Sequence, residues 1–123
     1  MSTSTTAKLA AYQDRYHEIA ERIADLGFIS AGTITSRYTR CATANCRCRA
    51  DPPQPHGPYW QWTAKVNGKT VTRRLSPAQA RLYQQWIDND RELRSLIAQM
   101  RDIAAKATHL LLNDPKGPPT PEV

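Results

Sequence analysis

Residues 59–75 read YWQWTAKVNGKTVTRRL, in which apolar and polar residues alternate on both sides of Asn67-Gly68. Asn67-Gly68 at its centre is the strongest short-range signal for a two-residue β-turn, because both residue types accept the positive φ that such a turn requires. A turn at this position pairs Val66 with Lys69 and, further along, Trp60 with Leu75. The stretch therefore predicts an antiparallel hairpin with a defined register.

This register separates the side chains of the hairpin into two faces. One face carries Trp60, Trp62, Ala64, Val66, Val71 and Leu75. The other face carries Gln61, Thr63, Lys65, Thr70, Thr72 and Arg74. We expect the apolar face to pack on helices and the polar face to meet solvent or a ligand. Residues 33–40 alternate in the same way, with Ile34 and Tyr38 on one side and Arg37 on the other, and predict a third strand.

One helix is predicted before this sheet in the sequence and one after it. Residues 7–27 carry an apolar seam at coiled-coil spacing, made of Leu9, Tyr12, Tyr16, Ile19, Ile23 and Leu26. Residues 77–112 begin with the capping signal Ser76-Pro77-Ala78-Gln79 and carry a longer apolar stripe, which Asp90 interrupts. At 1.5 Å per residue the second helix would be about 54 Å long. It must therefore pack along the first helix, along another subunit, or along both.

These elements predict an α+β fold, in which a three-stranded antiparallel sheet with a zinc-stabilised loop is flanked by two long helices that form a coiled-coil-like hairpin. We expect residues 1–112 to form a single domain, with the helices at 7–27 and 77–112 and the sheet and loop at 32–75. The proline-rich residues 113–123 cannot continue the helix and are expected to be disordered.

All three cysteines of the chain lie in one loop before the hairpin, together with a histidine. Their spacing is Cys-x4-Cys-x-Cys-x7-His, formed by Cys41, Cys46, Cys48 and His56. Zn²⁺ prefers four tetrahedral ligands drawn from cysteine and histidine, and these residues supply such a set. The prolines before His56 restrict the path of the loop and lower the entropic cost of closing it. With four protein ligands and one acidic residue nearby, Asp51, the pattern favours one structural Zn²⁺ over hydrolysis.

The same residues allow other interpretations. Cysteines can act as small buried hydrophobic residues. His56 can hydrogen-bond a turn instead of a metal, with a water completing the site. Cys46 or Cys48, among arginines that lower a thiol pKa, could be a nucleophile. Because no base with an orienting carboxylate is evident, we do not expect an enzyme.

The positive charge of the chain is concentrated in the same region. The net charge is +6, and residues 37–74 contain eight basic residues against Asp51 alone. This predicts an anionic partner, most often nucleic acid, with a solvated surface as the alternative. The candidate contact residues are Arg37, Arg40, Arg47, Arg49, Lys65, Arg73, Arg74 and Tyr59. Arg73 pairs with Trp62 in the predicted register, so we expect its substitution to act through packing.

Two longer stretches carry a resemblance to a known family. They are RYTRCATANCRCRADPPQPHGPYWQW at 37–62 and NGKTVTRRLSPAQARLYQQWIDNDRELRSLI at 67–97. They resemble a bacterial and archaeal family of small proteins with a Tyr-x-x-Cys…Cys-x-Cys…His-Gly-Pro-Tyr motif, a hairpin and a long helix. The resemblance implies zinc binding and an association with mobile elements. Members often have Gly-Lys-Pro after the first cysteine, where this chain has Ala42-Thr43-Ala44.

The sequence as a whole then predicts a zinc-stabilised accessory protein that binds nucleic acid, DNA more readily than RNA. The alternative is a protein-interaction or oligomerisation module that acts through its helices. Residues 1–10 lack the features of a signal peptide and no apolar run is long enough for a membrane, so we expect a cytoplasmic protein without a membrane partner. A homodimer through the long helix is a further expectation.

Overall fold

The computed structural model describes residues 3–41, 44–50 and 53–114. In this part of the chain the elements are α1 (Thr3–Ala24), β1 (Thr33–Thr39), a short 3-10 turn (Arg47–Arg49), β2 (His56–Val66), β3 (Lys69–Leu75) and α2 (Pro77–Leu112). The strands form an antiparallel sheet in the order β1-β2-β3. The predicted α+β class, with a three-stranded antiparallel sheet and two helices, is confirmed.

The β2–β3 hairpin has the register that the sequence predicts. Val66 pairs with Lys69 and Trp60 pairs with Leu75. The turn residues Asn67 and Gly68 have φ values of 52° and 79°, the positive pair that a tight hairpin turn requires. The chemistry of the turn therefore fixes which side chains share a face.

The described chain divides into two compact units. The basic unit, as we call it, is Phe28–Asp90, and the helical unit combines Met1–Gly27 with Arg91–Val123. The division falls at Asp90, where the apolar stripe of α2 is interrupted. The prediction of a single domain over residues 1–112 stays a prediction, because compactness does not show whether either part folds alone.

Within the basic unit, the tryptophan face of the sheet packs on the start of α2. The indole of Trp62 donates to the carbonyl of Ala31 at 2.9 Å, and its ring lies edge-on to Tyr83 at 5.7 Å. Ala64 and Leu75 are buried on this face, whereas Val66, next to the turn, is 44% exposed. The opposite, polar face of the sheet is open to solvent, as predicted.

Within the helical unit, α1 packs against the later part of α2. Ile19, Leu96 and Ile103 form the buried cluster, with Tyr12 and Met100 partly buried against it. Near the end of α1, Arg22 forms an ion pair with Glu92 at 2.8 Å. Tyr12, earlier in α1, lines the same groove as Ile103, so the two helices run antiparallel. Whether they form a regular coiled coil stays a prediction.

The bounds of α1 differ from the predicted 7–27. The helix begins at Thr3 and ends at Ala24. Thr5 is buried, so packing orders a threonine-rich first turn whose intrinsic propensity is low. The predicted disordered tail lies outside the described residues, apart from Asn113 and Asp114. Among the described helices, none has the length and apolar character needed to cross a membrane.

Candidate metal centre

The loop between β1 and β2 brings the four predicted ligands together. The Sγ atoms of Cys41, Cys46 and Cys48 and a ring nitrogen of His56 all lie within 4.8 Å of one another. Cys41 follows the end of β1, and His56 opens β2. The antiparallel pairing of these strands therefore places the first and last ligands at the same end of the sheet.

The local fold of the loop positions the two middle cysteines. Cys46 precedes the short 3-10 turn, and its carbonyl accepts a hydrogen bond from the amide of Arg49 at 2.9 Å. Cys48 lies within the turn and is fully buried. The carbonyl of Arg47 accepts hydrogen bonds from the amides of Ala50 and Gln54, which returns the chain toward β2. The turn thus separates two cysteines that are only two residues apart.

The ligand atoms form two close pairs. The Sγ of Cys41 lies 3.6 Å from the Sγ of Cys48, and the Sγ of Cys46 lies 2.9 Å from Nε2 of His56. In a tetrahedral zinc site, bond lengths of about 2.3 Å to sulfur and 2.0 Å to nitrogen place ligands about 3.5–3.8 Å apart. The Cys41–Cys48 separation matches these values, the Cys46–His56 separation is shorter, and no two ligand atoms are more than 4.8 Å apart, so the donor set could hold one metal ion after small side-chain shifts.

The electrostatics of the loop also favour a cation. The pKa of the Cys46 thiol is raised above its ordinary value. The largest single influence, a hydrogen bond from the backbone of Cys48, lowers this pKa, but the Cys41 and Cys48 side chains and burial together outweigh it. A divalent cation bound by this thiol would favour its ionised form and offset the neighbouring groups that raise its pKa.

The backbone and a guanidinium support the ligand loop. The amide of Cys41 donates to the Sγ of Cys48 at 3.3 Å. Arg49 donates to the carbonyl of Cys41 through Nε at 3.0 Å and Nη2 at 2.8 Å. The sequence predicts Arg49 as a nucleic-acid contact and carries no signal for this partner inside the loop. These two hydrogen bonds hold the chain at Cys41 against the 3-10 turn.

A β-bulge determines where His56 points. Arg37 pairs with Tyr59 and Thr39 pairs with His56, so β2 has one more residue than β1 across this interval. One extra residue reverses the faces of the strand beyond it. Without the bulge, His56 would share the face of Trp60. With it, His56 shares the face of Thr39 and Arg37, where it meets Cys46.

Gly57 makes this bulge possible. Its φ is +126°, which side-chain-bearing residues rarely adopt. A Cβ there would lie 2.7 Å from the carbonyl oxygen of Arg37. The peptide bond between Gly57 and Pro58 is cis. β2 begins at His56, three residues before the predicted hairpin, and Pro58 lies in this added part of the strand, where proline is typical of a bulge.

The polar face of the sheet carries part of the predicted contact set. Register places Arg37, Lys65, Arg74 and Tyr59 on this face. The guanidinium carbon of Arg74 lies 3.5 Å from the centre of the Tyr59 ring, a contact that the sequence does not reveal. Arg73 pairs with Trp62 on the opposite face, as expected. Arg47 and Arg49 lie in the metal loop, and Arg40 lies between β1 and Cys41.

Comparison with known proteins assigns a family. The family described as Domain of unknown function (DUF6788) matches residues 9–84. The chain belongs to this family. The match covers α1 from Leu9 onward, the sheet, the ligand loop and the start of α2. A search of curated proteins and a search of solved structures each found no match.

Proposed function

We propose that this protein binds duplex DNA through the polar face of its sheet, with a structural Zn²⁺ holding the adjoining loop. The observation that carries the proposal is the absence of acidic residues from all three strands, whose polar face presents Arg37, Lys65 and Arg74. A basic face of this kind attracts phosphates through counterion release. Binding, not catalysis, is the role that this surface supports.

The contact between Arg74 and Tyr59 favours phosphate binding over base stacking. The guanidinium covers one face of the Tyr59 ring, so a base cannot stack there. A guanidinium stacked on a ring keeps its N–H groups directed outward in its plane, where they can meet phosphate oxygens. This geometry suits a duplex backbone better than an unpaired strand, whose recognition relies on stacked bases.

The dimensions of the nucleic-acid grooves favour DNA over RNA as the partner of the β2–β3 hairpin. The major groove of B-DNA, about 12 Å wide, admits a two-stranded β-ribbon. The major groove of A-form RNA is deep and narrow, and side chains do not reach its bases. The resemblance to proteins found near mobile elements suggests that this protein is an accessory to a mobile-element enzyme.

Fluorescence anisotropy tests this proposal on zinc-supplemented protein with one labelled sequence prepared as duplex DNA, single-stranded DNA and duplex RNA. We expect the tightest binding to duplex DNA, with log affinity falling by about 0.9 per phosphate contact for each tenfold rise in salt. Arg74→Ala should flatten this slope by about one unit. Arg73→Ala, on the tryptophan face, is the matched control and should leave the slope nearly unchanged.

Two outcomes would reject the proposal. If no nucleic acid binds at low salt, the basic face is a solvated surface and the protein-interaction alternative takes its place. If Arg73→Ala and Arg74→Ala flatten the slope equally, the contact does not occur on the polar face.

A further inference from the structure

One of the three cysteines in the loop between β1 and β2 is shielded from solvent, and the other two are not. Cys41 and Cys46 are half-buried, whereas Cys48 is 0% exposed. The oxidation of a cysteine depends on its exposure, so a dissolved oxidant reacts first with Cys41 or Cys46. Cys48 can then react only with a neighbour inside the loop. This makes Cys48 the resolving thiol, the one that attacks the oxidised cysteine.

Cys41 is the neighbour that the structure holds against Cys48. Their Sγ atoms lie 3.6 Å apart, and the backbone amide of Cys41 donates to the Sγ of Cys48 at 3.3 Å. A disulfide bond is about 2.05 Å long, so the two sulfur atoms need to approach by about 1.5 Å. Rotation of the two side chains supplies movements of this size. The two thiols are therefore close enough to react with each other in the folded loop.

Contacts within the protein also keep this pair of cysteines together. Arg49 follows Cys48 in the 3-10 turn, and its guanidinium donates two hydrogen bonds to the carbonyl of Cys41, at 3.0 and 2.8 Å. The chain at Cys41 and the turn that contains Cys48 are thus joined by a side chain that binds no metal. We therefore expect Cys41 and Cys48 to remain neighbours when no ion is bound.

The remaining two ligands, Cys46 and His56, contact each other. The Sγ of Cys46 lies 2.9 Å from Nε2 of His56. A metal binds the thiolate form of cysteine, so a disulfide between Cys41 and Cys48 removes two of the four ligands. Structural zinc sites in proteins use four protein ligands. Cys46 and His56 alone would therefore not retain the ion.

We propose that the loop is a redox switch in which a peroxide joins Cys41 and Cys48 in a disulfide and releases the Zn²⁺. With hydrogen peroxide, the O–O bond breaks and one S–S bond forms. The two thiolates lose two electrons to the peroxide, which takes up two protons and leaves as two water molecules. A dithiol reverses the step by thiol–disulfide exchange and becomes a disulfide itself, after which Zn²⁺ binds again.

The effect of the switch on nucleic acid rests on the function proposed above. The loop carries Arg47 and Arg49, and their positions depend on the fold around the ligands. We expect the oxidised protein to bind duplex DNA more weakly than the reduced, zinc-bound protein does. Zinc release and disulfide formation need no DNA, so they test the switch separately. If the reduced protein binds no DNA while peroxide still forms the disulfide, the proposed function fails and the switch stands.

Zinc release and disulfide mapping on the full-length, zinc-loaded protein test the switch. Hydrogen peroxide should release the Zn²⁺ to a chromophoric chelator. Tandem mass spectrometry should then locate a bond between Cys41 and Cys48, with Cys46 still open to alkylation. Reduction with dithiothreitol, followed by added Zn²⁺, should restore the original metal content. Zinc release without a disulfide, or a disulfide that contains Cys46, would overturn the proposal.

Variants of the full-length protein test the pairing after chelation, with the fold checked by circular dichroism. Cys46→Ser should form the disulfide at the wild-type rate. Cys48→Ser should form an intrachain disulfide about tenfold more slowly, because it lacks the resolving thiol. Arg49→Lys should also slow the reaction, and Arg47→Lys, in the same turn, is the matched control that should not. Equal rates for the two serine variants, or for the two lysine variants, would overturn the proposal.

Discussion

Gly57 is the residue on which the geometry of the metal loop depends most. Its φ of +126° and the nearby Arg37 carbonyl leave no room for a side chain. We expect Gly57→Ala to cost about 1–3 kcal/mol of unfolding free energy and to weaken Zn²⁺ binding, because the bulge turns His56 toward Cys46. Denaturation and zinc titration of the same sample measure both effects.

Gly68 is the control for this substitution. Its φ is +79°, but a Cβ at this residue would have no neighbouring atom within 4 Å. Gly68→Ala should therefore carry backbone strain of about 1 kcal/mol and leave Zn²⁺ affinity unchanged. Equal zinc affinities for the two variants would show that the bulge does not orient the histidine.

Arg49 provides a second prediction at the scale of single residues. Its guanidinium holds the carbonyl of Cys41 with two hydrogen bonds, which a lysine cannot reproduce. We expect Arg49→Lys to lower Zn²⁺ affinity about tenfold or more, the usual effect of losing a group that supports a ligand. Competition with a chromophoric chelator measures this affinity. Arg47→Lys is the control in the same turn. An equal loss of Zn²⁺ affinity in this variant would show that the two hydrogen bonds from Arg49 to Cys41 do not support the site.

At the scale of elements, the start of α2 depends on a reciprocal cap. The hydroxyl of Ser76 accepts a hydrogen bond from the backbone amide of Gln79 at 3.1 Å. The side-chain oxygen of Gln79 accepts one from the backbone amide of Ser76 at 2.9 Å. Ser76→Ala should cost about 1 kcal/mol of unfolding free energy. Gln79→Ala should cost less, since the serine bond remains. A Ser76→Ala protein as stable as the wild type in urea would contradict this assignment.

The sequence predicts those elements whose local signals agree with their packing. The hairpin register follows from Asn67-Gly68, and the bounds of α2 follow from its cap and its apolar stripe. The start of α1 cannot be predicted from the sequence. Thr5 has a low helix propensity, and its burial places it in the helix. The register shift before Tyr59 cannot be predicted either, because the predicted hairpin begins at Tyr59 and the shift depends on the pairing of β2 with β1.

The same limit applies to the candidate site. Clustering of cysteine and histidine is enough to predict the ligand set, since few other structures need those residues in one loop. The hydrogen bonds of Arg49 to the Cys41 carbonyl depend on side-chain conformation, and the stacking of Arg74 on Tyr59 depends on a neighbour across the strands. A single sequence contains no signal for either contact.

At the scale of the whole molecule, the metal loop and the polar face of the sheet should bind DNA together. The loop carries Arg40, Arg47 and Arg49, whose positions depend on the fold around the ligands. We therefore expect chelation of Zn²⁺ to weaken duplex DNA binding severalfold and to reduce its salt dependence. Anisotropy before and after chelation, followed by return of Zn²⁺, measures the effect. Unchanged binding after confirmed metal loss would confine the contact to the strands.

We infer that Cys41, Cys46, Cys48 and His56 hold one structural Zn²⁺, and the metal content of the purified protein tests this inference. Elemental analysis of protein purified without added metal should find one zinc per chain. The Cys46→Ser variant should contain much less zinc, and chelation should lower the thermal stability of the wild type. A wild-type protein that contains no metal, and whose melting temperature is the same with and without chelator, would contradict a structural zinc site.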